Sequence, residues 1–426
     1  MHQSFNLDGE HYTSLEYLVK GRLVLTNDIL ILVQKTSIYI HIPFCEKRCH
    51  YCDFNTYSGI NHLMRDYGLA LCQEIELIGR NSPQDVMIHS IYFGGGTPSI
   101  LDLIVLENII NTIYKTFTID ENVEINLECN PGTVDLHKLD NYKAFGINRL
   151  SFGAQSFDDS ELALLGRIHN AKDIFDVVAW ARRAGFENVS LDLIFGLPNQ
   201  KLETWLNSLK NAVTLQLEHL SLYGLTIEEG TKLREWIKLG KLADIDDDFA
   251  ADCYEEAQTL LEKSHYVHYE ISNWAKKGAD ENIFTCRHNQ QYWRNLPYYG
   301  FGAGAHGFIH NLRIANVLHP KDYIERLKKL ENYEYPLSPA TNYKHPVEKE
   351  EEMNDTLMLG LRLLIEGVSL EEFRKRFEVD LFEQFGTKIN KLISRGLVEL
   401  VEDDQQRIRL TKKAYFIGNI VFREFV

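Results

Sequence analysis

Three cysteines sit within eight positions, Cys45, Cys49 and Cys52, in the run Tyr39-Ile40-His41-Ile42-Pro43-Phe44-Cys45-Glu46-Lys47-Arg48-Cys49-His50-Tyr51-Cys52-Asp53-Phe54. The spacing is C-x3-C-x2-C, directly after an apolar, strand-like stretch. A loop this short can turn three thiolates toward one centre, and thiolates favour soft metals or iron–sulfur clusters. A structural zinc site is the alternative, but it wants a fourth ligand at a second short spacing. His50 stands beside Cys49 and cannot easily face the same centre, and no Cys/His pair of finger spacing follows. On a four-iron cluster, three cysteines leave one iron without a protein ligand, an open position where a small molecule can bind.

Other residues capable of chemistry lie further on. Ile91-Tyr92-Phe93-Gly94-Gly95-Gly96-Thr97-Pro98 is an apolar run that enters a glycine triplet, where backbone N–H and C=O groups can approach a ligand. Alone, the triplet reads equally as a plain turn. Glu128, Gln155, Arg167 and Asp192 are each no more than strand-end or loop polar groups when taken singly. Cys286-Arg287-His288-Asn289-Gln290-Gln291-Tyr292-Trp293 sets a histidine beside two aromatic residues, which taken alone read as structural histidine and core.

These residues need a scaffold, and from Ser37 the sequence supplies one. Short apolar runs alternate with helical patterns: 37–42 then 63–79, 88–93 then 103–117, 123–128 then 136–145, 149–153 then 160–166 and 170–185, 189–194 then 205–215, and 220–223. Such alternation predicts βαβ units with a parallel sheet and right-handed crossovers. About six units are visible, fewer than a closed eight-fold barrel requires, so a partial (β/α)6 TIM-like barrel is expected. Chemistry in such sheets gathers beyond the strands' C-terminal ends, where Cys45, the glycine triplet, Glu128, Gln155 and Asp192 fall. Residues 1–36 read as a leader with helical spacing at Tyr12, Leu15, Leu18 and Val19 and a strand-like stretch over 28–33. The alternation ends at about 225. Residues 226–345 complete the barrel, and residues 346–426 read as a winged-helix-like domain, with helices at 350–364, 370–377 and 381–395 before strands at 397–401 and 408–410.

The 426 residues allow two or three domains, and 44% apolar with 25% charged content is that of an ordinary globular chain. The formal charge is −16, and residues 348–426 carry 13 basic against 16 acidic side chains, which argues against nucleic acid as a partner. The early apolar run over 29–33 is far short of the ~20 residues a membrane span needs. No signal peptide is read, and seven cysteines without a disulfide pattern suit a reducing, cytoplasmic setting.

The cysteine loop resembles that of the radical S-adenosylmethionine superfamily. Over residues 37–420 the chain is similar to the branch that contains oxygen-independent coproporphyrinogen III dehydrogenase and the HemW-type haem chaperones. That resemblance implies a [4Fe–4S] cluster on Cys45, Cys49 and Cys52, with the amino and carboxylate groups of S-adenosylmethionine on the fourth iron. It also implies reductive cleavage of the sulfonium to a 5′-deoxyadenosyl radical, chemistry carried by the cofactors. By position, Gly95, Gly96 and Thr97 match the motif that holds the methionine amino group, and Glu128, Gln155, Arg167 and Asp192 match further S-adenosylmethionine contacts. Tyr39 and Tyr51 match the aromatics before and inside the cluster loop. Thr226 is carried over too, although the chain around Tyr223–Ile227 departs from the dehydrogenase pattern.

Two features separate the branches. The dehydrogenase carries a further cysteine two places after the third, where this chain has Phe54, and its long N-terminal extension is not matched. H-N-x-x-Y-W resembles the haem-chaperone signature, which makes His288, Tyr292 and Trp293 candidates for haem contact. The expected function is therefore delivery of haem, as cargo, to haem-requiring acceptor proteins, with an electron donor as a further partner and peripheral membrane contact left open. The alternatives are coproporphyrinogen III oxidation, which would make the chain an enzyme, and a zinc-binding winged-helix regulator.

Overall fold

The computed structural model describes residues 34–279, 281–329, 333–401 and 406–426, and the backbone of an antiparallel hairpin, Leu23–Thr26 against Ile29–Leu32. The expected helical spacing at Tyr12–Val19 lies outside the described residues. Six strands run parallel as neighbours: β1 (Gln34–Ile42), β2 (Val86–Gly95), β3 (Thr118–Cys129), β4 (Arg149–Gln155), β5 (Val189–Phe195) and β6 (His219–Gly224). Between them lie α1 (Met64–Gly79), α2 (Leu103–Thr116), α3 (Leu136–Ala144), α4 (Asp159–Leu165), α5 (Ala171–Arg183) and α6 (Leu202–Thr214), and α7 (Lys232–Lys238) and α8 (Asp247–Lys263) follow β6. The elements match the sequence periodicity to within a few residues, the main difference being that β3 begins at Thr118 rather than 123.

The region without alternation extends the same sheet. Past β6 come β8 (Asn273–Lys276) and, on its far side, β7 (Tyr266–Glu270), both antiparallel. At the other side β9 (Tyr298–Phe301) pairs parallel with β1. The meander β10 (His306–Ile309), β11 (Leu312–Asn316) and β12 (Thr341–Pro346) continues from it. The twelve-stranded order is β7-β8-β6-β5-β4-β3-β2-β1-β9-β10-β11-β12, so β7 and β12 are edges and the barrel is open. Helices α9 (Arg287–Trp293) and α10 (Pro320–Leu327) lie in the connections.

The two sheet faces differ in chemistry. Outward positions are aliphatic or aromatic and fully buried under the helices: Ile38, Ile40 and Ile42; Ile91 and Phe93; Ile125 and Leu127; Leu191 and Leu193; Leu220 and Leu222. Inward positions are polar: Ser37, Tyr39 and His41; Ser90, Tyr92 and Gly94; Glu124, Asn126 and Glu128; Arg149 and Ser151; Ser190 and Asp192; His219 and Ser221. Strand side chains alternate between faces, so this period-2 pattern gives the barrel an apolar outer wall and a polar lumen. The arm β9–β11 is tied to α1 through the buried Glu74 carboxylate, which accepts from Gly302 N, Asn316 Nδ2, Tyr323 Oη on α10 and Ser338 Oγ.

The C-terminal region forms its own apolar core around Leu357, Phe373, Leu381, Ile389, Leu392 and Ile408. Helices α11 (Lys349–Gly360), α12 (Leu370–Phe377) and α13 (Leu381–Ser394) pack with a three-stranded antiparallel sheet in the order Val368–Ser369, Arg407–Leu410, Val398–Val401. Helices followed by a hairpin are the expected winged-helix-like arrangement. The short α14 (Gly418–Phe422) closes this core with Phe422 and Phe425.

Candidate functional site

The cysteine loop leaves β1 at its C-terminal end and is closed at its base by a parallel pairing of Phe44–Cys45 with Tyr57–Ser58. His50 anchors its middle. His50 N donates to Leu165 O and His50 Nδ1 to Leu164 O at the end of α4, while the ring packs edge-on against Trp236 of α7. His50 therefore turns away from the cysteines and serves as a clamp. Cys45 is buried, Cys49 and Cys52 are half-buried, and all three are free thiols close enough to feel one another's charge. Each has a distinct polar neighbour: Thr97 Oγ1 donates to Cys45 Sγ (3.6 Å), Arg167 Nη1 to Cys49 Sγ (3.3 Å), and Cys52 Sγ lies 3.8 Å from Thr56 Oγ1. Among the described residues no three His, Cys, Asp or Glu side chains are gathered as ligands of a single metal ion.

The glycine triplet runs alongside this loop. Gly96 N donates to Ile42 O and Thr97 N to Phe44 O, stitching the strand end to the loop base. Gly95 has φ +113°, where only glycine is at ease, and a Cβ there would lie 2.6 Å from the His41 ring. At Gly96 a Cβ would come within 2.6 Å of Phe44 O and 3.0 Å of Cys45 Sγ. The triplet thus lets the strand end pack directly against the loop base and Cys45. Three neighbouring thiols beside a stretch of backbone without side chains fit a thiolate-bound cluster and a small zwitterionic ligand. They hold less well with a plain turn.

The remaining positions ring the same mouth. Tyr92 Oη donates to Glu128 Oε1 (2.8 Å) and Gly95 N to Glu128 Oε2 (3.2 Å). Burial pushes the Glu128 carboxyl up to about 7, against the pull of those two bonds. Asp192 accepts from Ser151 Oγ (3.1 Å) and is also raised by burial. Arg167 spans the gap between them and the loop, with Nη2 on Gly153 O (2.6 Å). Gln155 takes a positive φ of 67° at the end of β4, beside the bulge in its pairing with β5. Tyr39 Oη lies 2.9 Å from His41 Nδ1, whose other nitrogen lies 2.9 Å from Asn55 O in the cysteine loop. Tyr51 packs toward Leu165, Leu197 and Leu225 and faces Arg167 and Cys49. Thr226 is exposed just past β6.

The haem candidates sit elsewhere. Helix α9 plugs the lumen at the N-terminal end of the strands, opposite the cysteines. Glu124 accepts from Arg287 N and His288 N, His288 Nδ1 lies 3.1 Å from Ser90 Oγ, and His288 Nε2 lies 2.8 Å from Tyr292 Oη. His288 is 1% exposed and burial lowers it to about 3, so it is neutral with both ring nitrogens occupied. As placed, both of its ring nitrogens are engaged within the protein. Tyr292 packs on His288 and Tyr298, and Trp293 lies under the Arg362 guanidinium. Cys286 is likewise buried in this floor, near Glu124. Of the other cysteines, Cys129 and Cys253 are buried and Cys72 is half-buried. The floor was not legible beforehand, although the polar period-2 pattern of the strands could have flagged a lumen that needs a plug.

Residues 39–212 match the radical SAM superfamily and residues 347–417 the HemN C-terminal domain, the latter over the winged region. The chain is 37% identical to the heme chaperone HemW of Bacillus subtilis, over 92% of this chain and 99% of that protein. The chain belongs to the HemW family of radical SAM proteins. It is also 40% identical to the heme chaperone HemW of Synechocystis over 77% of its length and 78% of that relative. A mouse relative, radical S-adenosyl methionine domain-containing protein 1, mitochondrial, is 34% identical over 86% of this chain and 82% of its own. Among solved structures, coproporphyrinogen III oxidase HemN of Escherichia coli superposes with a TM-score of 0.76, covering 92% of this chain and 89% of that one. At 22% identity that likeness shows the fold, and it places the HemW-family chain on the open radical SAM barrel with its C-terminal module.

Proposed function

We propose that this protein is a haem chaperone, which binds haem and passes it to haem-requiring acceptor proteins in the cytoplasm. The observation that carries this reading is the likeness along nearly the whole chain to a protein named for that role. Phe54, exposed where the dehydrogenase branch has a further cysteine, favours it over porphyrinogen oxidation. Among the described residues no helix is long and apolar enough to cross a membrane.

On this reading Cys45, Cys49 and Cys52 hold a [4Fe–4S] cluster, and S-adenosylmethionine lies against Gly95, Gly96, Thr97, Glu128, Gln155, Arg167 and Asp192. Bound together, and given an electron donor, those groups supply one-electron cleavage of a carbon–sulfur bond. The chain's part is positional. Arg167 sets a positive charge between the Cys49 sulfur and the mouth, Glu128 and Asp192 present acceptors for hydroxyl groups, and Gly95 and Gly96 leave backbone bare for an ammonium or carboxylate. Haem ligation is not assigned to His288, whose nitrogens are engaged.

Protein reconstituted anaerobically should carry about four irons per chain on three thiolates and an open corner. Mixed with haem, it should give a Soret band that survives gel filtration. Conversion of coproporphyrinogen III to protoporphyrinogen IX with consumption of S-adenosylmethionine would instead make it an enzyme, and stoichiometric zinc without iron would remove the radical SAM reading altogether.

A further inference from the structure

The HNxxYW helix lies at the wrong end of the barrel to touch the cysteine loop, yet a continuous column of side chains joins the two. His288 stacks on Tyr92, with ring centroids 5.0 Å apart and 28° between planes. Tyr39 flanks the same phenol, 6.3 Å away and nearly parallel. Tyr39 and His288 also meet, with centroids 6.3 Å apart, so the three rings form one cluster, and from it the Tyr92 hydroxyl donates to Glu128 Oε1. The other carboxylate oxygen is fixed by Gly95 N of the glycine triplet. Gly94 belongs to this arrangement: a Cβ there would lie 2.9 Å from the Tyr92 ring and 3.2 Å from Glu128 Oε1. The first glycine of the triplet makes room for the pair, whereas the second abuts the His41 ring and the third Cys45.

We propose that His288 and Tyr92 are positioning residues: the imidazole fixes the phenol by stacking, and the phenol fixes the Glu128 carboxylate for the hydroxyl groups of a bound S-adenosyl nucleotide. The inference rests on the reading of Glu128 given above and assigns the HNxxYW segment to the cofactor end of the molecule. Nothing in it requires His288 to meet a metal.

The chemistry gives a readout that packing alone would not move. Glu128 is faced by Tyr39 on β1, Tyr92 on β2, its neighbour Cys129, Arg149 on β4, Asp192 on β5, Tyr223 on β6 and Tyr292 on α9. An ionised carboxyl accepts a ligand's hydroxyls on both oxygens and more strongly than a protonated one, so nucleotide affinity should rise with pH through the titration of Glu128. Loss of the Tyr92 donor favours the protonated form and moves that rise to higher pH.

The test is equilibrium dialysis of S-adenosylmethionine against anaerobically reconstituted wild type, Tyr92→Phe, His288→Gln and the double variant between pH 6 and 9, with a Soret titration of haem alongside. Tyr92→Phe keeps the ring and the stack. It should weaken the nucleotide about tenfold at pH 7, as expected for one hydrogen bond to a charged group, with the pH midpoint displaced upward. His288→Gln should act in the same direction, by about threefold, and add little on the Tyr92→Phe background. Unchanged affinity and pH profile in Tyr92→Phe overturn the proposal, as does loss of the Soret band in His288→Gln with nucleotide affinity intact. Should His288→Gln not fold, Tyr92→Phe alone decides. A wild type that holds four irons but binds no nucleotide overturns the reading of the site and this inference with it, whereas a wild type that binds and variants that bind equally overturn the inference alone.

Discussion

Cys45, Cys49 and Cys52 reach one mouth by different supports, and that difference sets what each substitution does. Cys52 is half-buried with Thr56 as its hydroxyl neighbour, and its loop belongs to no strand or helix. Cys52→Ala should abolish iron retention above one or two irons per chain while shifting the thermal midpoint of the metal-free protein by no more than about 1 °C, since surface-loop changes fall within ±0.5 kcal/mol. Glu270 carries a different prediction. It is 1% exposed, accepts from Asn273 Nδ2, and is pushed up by burial to about 7. A carboxyl raised in the fold stabilises most below its unfolded value, and that contribution is lost as pH climbs through 7. Glu270→Gln removes the buried charge and offers an amide to Asn273 Oδ1, which has no hydrogen-bond partner. The variant should therefore match wild type near pH 5 and exceed it by about 1–3 kcal/mol at pH 8.5, read by urea denaturation.

At the scale of elements, helices are set by what they close. The cysteine loop depends on α4, whose last carbonyls accept from the His50 backbone and ring. His50→Ala should leave the barrel folded and raise the rate of iron loss to a chelator several-fold, because the loop keeps its base pairing but loses its clamp. The winged module meets the barrel at the C-terminal end of α9. Arg376 of α12 places its guanidinium on Glu352 of α11 (2.5 Å), on Asn295 O (2.7 Å) and on Arg294 O (3.2 Å), with 16% of its side chain exposed. Removing it leaves a shielded carboxylate and two carbonyls unpaired, so Arg376→Ala should cost about 2–3 kcal/mol in chemical denaturation. Arg294–Glu366 nearby is a bidentate pair in the open, 39% and 36% exposed, and Arg294→Ala should cost under about 1 kcal/mol.

Across the whole molecule, a charge of −16 and a winged region with 13 basic against 16 acidic side chains predict no retention of duplex DNA at 0.1 M salt, measured by gel shift. The strands and helices from 37 to 224 were legible because periodicity is local: each amphipathic run reports its own element. The cysteine loop and glycine triplet were legible for the same reason, since each is carried by a few consecutive residues. Glu128, Gln155, Arg167 and Asp192 gained meaning through a resemblance, because each is an ordinary polar residue until strands 20 to 40 positions apart are laid side by side. Tertiary structure alone decided the rest: that Glu74 welds α1 to the β9–β11 arm, that Tyr92 answers Glu128, and that His288 faces Ser90 rather than an open cleft. Those contacts join residues 36 to 228 positions apart, and no local pattern records a hydrogen bond whose two halves meet only when the sheet curls.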